Sequence, residues 1–234
     1  MKIAPNSGKP APKKPLSRRH AISVGAAFFA SGCTLPPVIG NAIDAAQLLV
    51  SGAPDTPISP EYVANLPYAS MAAKIGRGPR TLLVLGRFDG PDLHWISEDK
   101  TAVVTRNGRV TRTTQIGRDL IDTQGIEDDP VATGNMAFEG THVRTVDLAD
   151  PTAAFGIPIT STFRVVAQET IKILDREFDT LKVEELNIAS TVRWEFENMY
   201  WFDFQTGFMW KSVQHFARDT PPIETEILKP AIIT

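Results

Sequence analysis

The sequence predicts a mainly β protein, an antiparallel barrel or sandwich with one or two short helices near its N-terminus. Three observations predict it. Apolar residues recur at every second position in segment after segment, which is the period of a half-buried strand. Several of these segments lie two to five residues apart, too close for the helical crossover that parallel strands need. Asn107-Gly108 sits between two β-rich arms, and Asn-Gly readily supplies the positive φ angles of a type I′ hairpin turn.

The chain of 234 residues opens with a leader. Lys2, Lys9, Lys13, Lys14, Arg18 and Arg19 precede an uncharged apolar run, Ala21 to Ala30, and no acid occurs before Asp44. Basic, then apolar, then small is the layout of a secretory signal. A ten-residue run containing Gly25 falls short of the roughly 20 residues that a membrane-spanning helix needs. The run ends at Ala-Ser-Gly-Cys, and Cys33 is the one cysteine of the chain. Small residues before such a cysteine resemble a bacterial lipobox, with Ala30 where Leu is usual. Residues 1–32 are therefore read as a lipoprotein signal and Cys33 as the lipid-attachment site. The competing reading is cleavage elsewhere, with Cys33 an idle thiol. Ser17-Arg18-Arg19-His20-Ala21-Ile22 also looks like a twin-arginine export motif, with Ala21 where Phe is usual. The general and the twin-arginine routes both stay open, and both end outside the cytoplasm.

Cleavage before Cys33 leaves 202 residues. The leader takes six of the 24 basic residues and none of the 27 acids, so 18 stand against 27 and the formal charge is −9. That surface disfavours nucleic acid and anionic lipid heads. With one cysteine there is no intramolecular disulfide. His94, His142 and His215 are far apart in sequence, and no His-x-x-His or Cys-x-x-Cys spacing occurs, so no metal site and no cofactor is expected. No phosphate-binding glycine loop or Gly-x-Ser-x-Gly elbow is present.

Residues 33–60 read as a tether, with a short helix over Asn41 to Val50. Residues 61–234 read as a single antiparallel β domain. Ser59 followed by Pro60 marks a helix start, and Pro67 ends it. Ala69, Met71, Ala73 and Ile75 then share one strand face. The run Leu82 to Leu85 predicts a strand covered on both sides. Beyond the Asn107-Gly108 turn, Thr111, Thr113 and Thr114 predict a half-exposed arm. Asp122 to Asn135 breaks the periodicity and reads as a solvated loop, its acids Glu127, Asp128 and Asp129 lacking cation-ligand spacing. Thr141 to Ala149 alternates. From Ser161 to Leu174, Phe163, Val165, Ala167, Ile171 and Ile173 fall on one side, interrupted by Glu169. In Glu185 to Phe204 the even positions read as one apolar face, from Leu186 and Ile188 through Trp194 and Phe196 to Phe202. The odd positions, including Asn187, Glu195 and Glu197, read as its wet face. About 20 residues exceeds an ordinary strand, so a bend is expected near Asn198.

Three stretches, together with Cys33, carry a family resemblance: LPYASMAAKIGRGPRTLLVLGR; HWISEDKTAVVTRNGRVTRTTQI; and NMYWFDFQTGFMWKSVQHFARDTPPIETEILKP, which runs nearly to the C-terminus; their order along the chain is kept. The chain resembles the YjbF/GfcB-type lipoproteins of group 4 capsule and exopolysaccharide production. The resemblance implies a secreted lipoprotein encoded alongside outer-membrane β-barrel and periplasmic partners that act in polysaccharide export; with the anchor, the tether and the lack of a catalytic constellation, the expected role is a non-enzymatic accessory factor. The resemblance carries no active-site residues with it. Thr34, where Asp would hold an enterobacterial lipoprotein at the inner membrane, implies transfer to the outer membrane, facing the periplasm. The rival function is a periplasmic carbohydrate binder or glycan-acting protein. Its candidates for sugar stacking are Trp201, Trp210 and Tyr200, with Trp194 beside them, and its candidate acid pair is Glu195 and Glu197. Against it, most of these aromatics fall on the apolar phase of strands.

Overall fold

A computed structural model describes Asp55 and residues 57–135, 140–149 and 154–231. The signal, Cys33 and the helix expected over Asn41 to Val50 lie outside the described residues.

Helix α1, Pro60–Asn65, forms where the sequence signals it. The Ser59 hydroxyl accepts from the Tyr62 amide at 3.1 Å, and Pro60 takes the first helical position. Five strands follow: β1 Ser70–Ile75, β2 Thr81–Asp89, β3 Asp92–Ile96, β4 Ala102–Arg106 and β5 Arg109–Thr114. Then come β6 Leu120–Gln124, the short helix α2 Pro130–Thr133, β7 Thr141–Leu148, β8 Ala154–Ile173 and β9 Arg176–Ala189. A 3₁₀ turn over Ser190–Val192 leads to β10 Trp194–Asp203, β11 Met209–Gln214 and β12 Ile223–Lys229.

The described strands make one 12-stranded antiparallel sheet in the order β5-β4-β3-β2-β1-β12-β11-β10-β9-β8-β7-β6. Consecutive strands pair except β5 with β6, and β1 closes on β12 with Ala73 opposite Thr225. The result is a nearly closed up-and-down barrel, which decides between barrel and sandwich. Its one seam lies between β5 and β6. There side chains take over from the backbone ladder: the Leu120 amide donates to Thr113 Oγ1 at 2.8 Å, and Thr123 Oγ1 donates to the Thr111 carbonyl at 3.0 Å. The arm is half exposed as expected: Arg112 and Thr114 face solvent, while Thr111 and Thr113 are buried in the seam. Sealing the seam suppresses the free edge that an open sheet would present.

The inner face follows the predicted phase in β1, where Ala69, Met71, Ala73 and Ile75 pack with Leu83, Trp95, Val103 and Ile227. Leu82 points outward yet is covered, as the continuous apolar run requires. The β8–β9 hairpin overshoots its neighbours, since β7 pairs no further than Thr162 and β10 no further than Thr180. Its overhanging Ile171, Ile173 and Phe178 pack with Leu82, Ala72, Leu228 and Val63 of α1. A register shift between Val165 and Ala167 breaks the single apolar side expected for β8 and leaves Val165 exposed.

Two further expectations are corrected. Glu185 to Phe204 is no single bent strand but two strands of a hairpin. The reversal falls at 190–193, where Arg193 adopts φ +52, and not near Asn198. Crossing the turn switches the buried phase. In β9 the odd residues Val183, Glu185, Asn187 and Ala189 are buried, while Leu186 and Ile188 are exposed. In β10 the even residues Phe196, Asn198, Tyr200 and Phe202 are buried. The expected solvated loop is also partly wrong. Glu127 and Asp128 are exposed, but Asp129 is fully buried and caps α2, accepting from the Val131 amide at 2.8 Å and the Ala132 amide at 3.1 Å.

The Asn107-Gly108 hairpin forms as predicted, with φ +43 and +89. A Cβ on Gly108 would lie 2.0 Å from Met209 Cε. Gly108→Ala should therefore cost about 1–3 kcal/mol. Gly90→Ala, at φ +57 with open space around it, should cost about 1 kcal/mol. Urea unfolding of both variants checks this, and equal costs would mean that Met209 moves aside freely.

Candidate functional site

The middle of the barrel is charged. Glu185 reaches inward from β9 and is fully buried. Its carboxylate accepts from Arg109 of β5 through two nitrogens at 2.9 Å each and from Arg144 of β7 at 2.7 Å. Asn198 and Tyr200 of β10 donate to it at 2.8 and 2.7 Å. Arg109 also donates to Tyr200 at 2.5 Å and pairs with Asp129 at 3.0 Å. Arg144 donates to Ser161 at 2.6 Å and Asn187 at 3.0 Å. Two cations thus meet two anions, with His142 Nε2 3.6 Å from Asp129.

Burial alone would raise the Glu185 pKa, but the charges of Arg109 and Arg144 and the hydrogen bonds outweigh it and hold the group well below the carboxylate range. Burial pushes Tyr200 up, so its hydroxyl stays protonated and donates. Burial lowers His142 despite the pull of Asp129, so it favours the neutral form and the four charges balance. A carboxylate engaged by five hydrogen bonds does not take up a proton near neutrality. The cluster is built to tie β5, β7, β9 and β10 together across the barrel.

The sugar-stacking candidates do not form an exposed platform. Tyr200 belongs to this interior cluster and is fully buried, so it presents no face to a ligand. Trp201 points out but is 8% exposed, with Lys182 and Lys211 over its ring at 5.1 and 5.5 Å and its indole nitrogen bonded to Glu169. Trp210 stacks on Phe178 at 3.9 Å and donates to Asp203 at 3.1 Å. Glu195 and Glu197 are exposed on the outside of β10. They border an open groove shared with Trp194, Met199 and His215. No group of three or more metal-ligating side chains occurs among the described residues.

Sequence reading missed Arg109, Arg144, Glu185 and Asp129. One signal was present: His142 and Arg144 fall in phase with Val146 and Leu148 in β7, which places a cation on a buried face.

Comparison with known proteins agrees with this architecture. The "uncharacterized lipoprotein GfcB" of Escherichia coli K12 is 25% identical over 206 residues, covering 88% of this chain and 95% of that one. The "uncharacterized lipoprotein YjbF" of the same organism is 27% identical over 190 residues, covering 77% and 84%. The crystal structure of the hypothetical lipoprotein YmcC from E. coli K12 superposes with a TM-score of 0.68 at 23% identity, covering 82% of this chain and 96% of that one, and shares its fold. The family described as "group 4 capsule polysaccharide lipoprotein gfcB, YjbF" matches residues 43–228, and the chain belongs to that family.

Proposed function

We propose that this chain is an outer-membrane-anchored lipoprotein facing the periplasm, and that it serves capsule or exopolysaccharide export or assembly as a non-enzymatic accessory factor. The observation that carries this reading is the filled interior. The barrel's centre is occupied by a charge-balanced Arg–Glu–Arg–Asp core, and the candidate acid pair, Glu195 and Glu197, stands on the outside of β10 beside an open groove, not inside the barrel. Such a body suits holding and docking better than bond cleavage. Its outer face supplies a surface for a protein partner. Val143, Leu186 and Ile188 on β7 and β9 are 55%, 37% and 48% exposed, and both Val143 and Ile188 lie opposite Thr160. Contiguous exposed apolar residues mark interaction sites. Outer-membrane β-barrel and periplasmic exopolysaccharide proteins are the partners this reading names.

Deleting the gene should lower polymer at the cell surface and leave its cytoplasmic precursors intact, with restoration by the plasmid-borne gene. Polymer at wild-type levels on the surface would overturn the role. Crosslinking through the Val143–Ile188 face, followed by mass identification, tests the partner class.

A further inference from the structure

We propose that one mouth of the barrel is a binding site for a single hydrocarbon chain carried on an uncharged head group. The inference rests on a cavity of about 470 Å³, independent of the export role. It opens at the rim formed by Pro91, Arg106, Asn107 and Phe208. Met71, Leu93, Trp95, Met209 and Ile227 line it. Trp95 stands three residues into β3 from rim residue Asp92, or about 10 Å deep at the usual rise per residue. A cavity of this size and position is where β-barrels hold small ligands.

Three features choose the occupant. First, the polar groups of the lining are already engaged. Trp95 Nε1 donates to Thr105 Oγ1 at 2.9 Å, Thr225 bonds Ser212 at 2.7 Å, and Arg106 Nε donates to Asp92 at 2.7 Å. A polar group pushed into the cavity would lose its hydration with little offered in return, whereas a methylene chain loses nothing. Second, the wall includes two methionines, Met71 and Met209, whose unbranched side chains adapt to an irregular apolar guest. Third, the rim charge is not positive. Asp92 neutralises Arg106, and Glu127 stands 3.9 Å from the same guanidinium. A carboxylate or phosphate head would meet net negative charge, so the head is uncharged. At about 30 Å³ for each water-sized group, the volume holds roughly fifteen such groups, which fits a medium-length chain entering end-on.

The test uses the mature chain with dodecyl maltoside, laurate and maltose, the first two below their micelle concentrations. Tryptophan fluorescence and the thermal midpoint are read out, since a ligand that binds only the folded state raises its stability. Dodecyl maltoside should shift both signals saturably, laurate at least tenfold more weakly, and maltose not at all. Ala132→Phe, which places a ring in the lining, should weaken dodecyl maltoside at least tenfold with its own midpoint little changed. Should Ala132→Phe fold poorly, Leu93→Ala replaces it, and there a longer alkyl maltoside should gain relative to the dodecyl one. Absence of a saturable shift, equal binding of laurate, or undiminished binding by a folded Ala132→Phe overturns the proposal. Ala231 also lines the cavity. If a chain ending at Ala231 binds more than tenfold tighter than the full chain, residues 232–234 compete for the site and the natural occupant is the protein's own tail.

Discussion

Glu185→Ala should destabilise the protein by about 3–5 kcal/mol, the usual consequence of removing one partner from a buried ion pair. Glu185 accepts from both Arg109 and Arg144, whose side chains are 2% and 4% exposed. Without it, Arg109 keeps Asp129, but Arg144 is left with only the neutral partners Ser161 and Asn187. Arg112–Asp122 supplies the control. Both of its side chains are about a third or more exposed, and Asp122→Ala should cost under about 1 kcal/mol. Urea midpoints of the two variants decide the matter. A cost below 1 kcal/mol at Glu185 would mean that the interior admits water and the charge cluster is not a core.

The same group sets an acid dependence. Its folded pKa lies well below the unfolded carboxylate value, so its stabilisation is complete above about pH 4.3 and is lost as pH falls through the folded value. Glu185→Gln should flatten the stability curve in that acid window. His142 acts at higher pH. Its folded pKa is lowered by burial, so below about pH 6.5 the unfolded chain takes the proton first and the native state loses ground. His142→Gln should remove part of that slope.

How far the sequence announced this architecture depends on the kind of signal. The Ser59-Pro60 helix start, the face of β1 and the Asn-Gly hairpin were legible because each is a local pattern with a local cause. The switch of phase between β9 and β10 was not. Its turn, Ser190-Thr191-Val192-Arg193, contains no Gly, Pro or Asn to mark a reversal, and alternation has the same period on both sides of it. Reading straight through gave Leu186 and Ile188 to the core and Asn187 to solvent, which is the reverse of their places. The charge cluster was hidden for another reason. Arg109 and Arg144 stand 76 and 41 residues from Glu185, so only barrel closure brings them together. Asp129 looked like one acid in a solvated run. It is buried because it serves twice, as cap of α2 and as counter-charge to Arg109.

Cys33→Ala should move the protein almost entirely from the membrane fraction to the soluble periplasmic fraction. The argument is thermodynamic. A buried methylene contributes about 0.8 kcal/mol, and one acyl chain alone gives only marginal, reversible binding. We propose that Cys33 carries a thioether-linked diacylglycerol and an acylated amine; these would give three chains, past the two-signal requirement for a stable anchor. Removing the sulfur removes all three, and nothing else described replaces them. No helix among the described residues is long and apolar enough to cross a membrane, and the acidic surface does not favour anionic lipid heads. Because Cys33 is not among the residues of the described strands, the thermal midpoint of the released protein should equal that of the mature domain, which separates lost anchoring from misfolding. Thr34→Asp asks the finer question. It keeps the lipid and should retain the protein at the inner membrane. Density-gradient fractionation and intact mass read both variants. If Cys33→Ala still floats with membranes at wild-type yield, attachment runs through the folded body, and the exposed Val143–Ile188 face becomes the place to look for it.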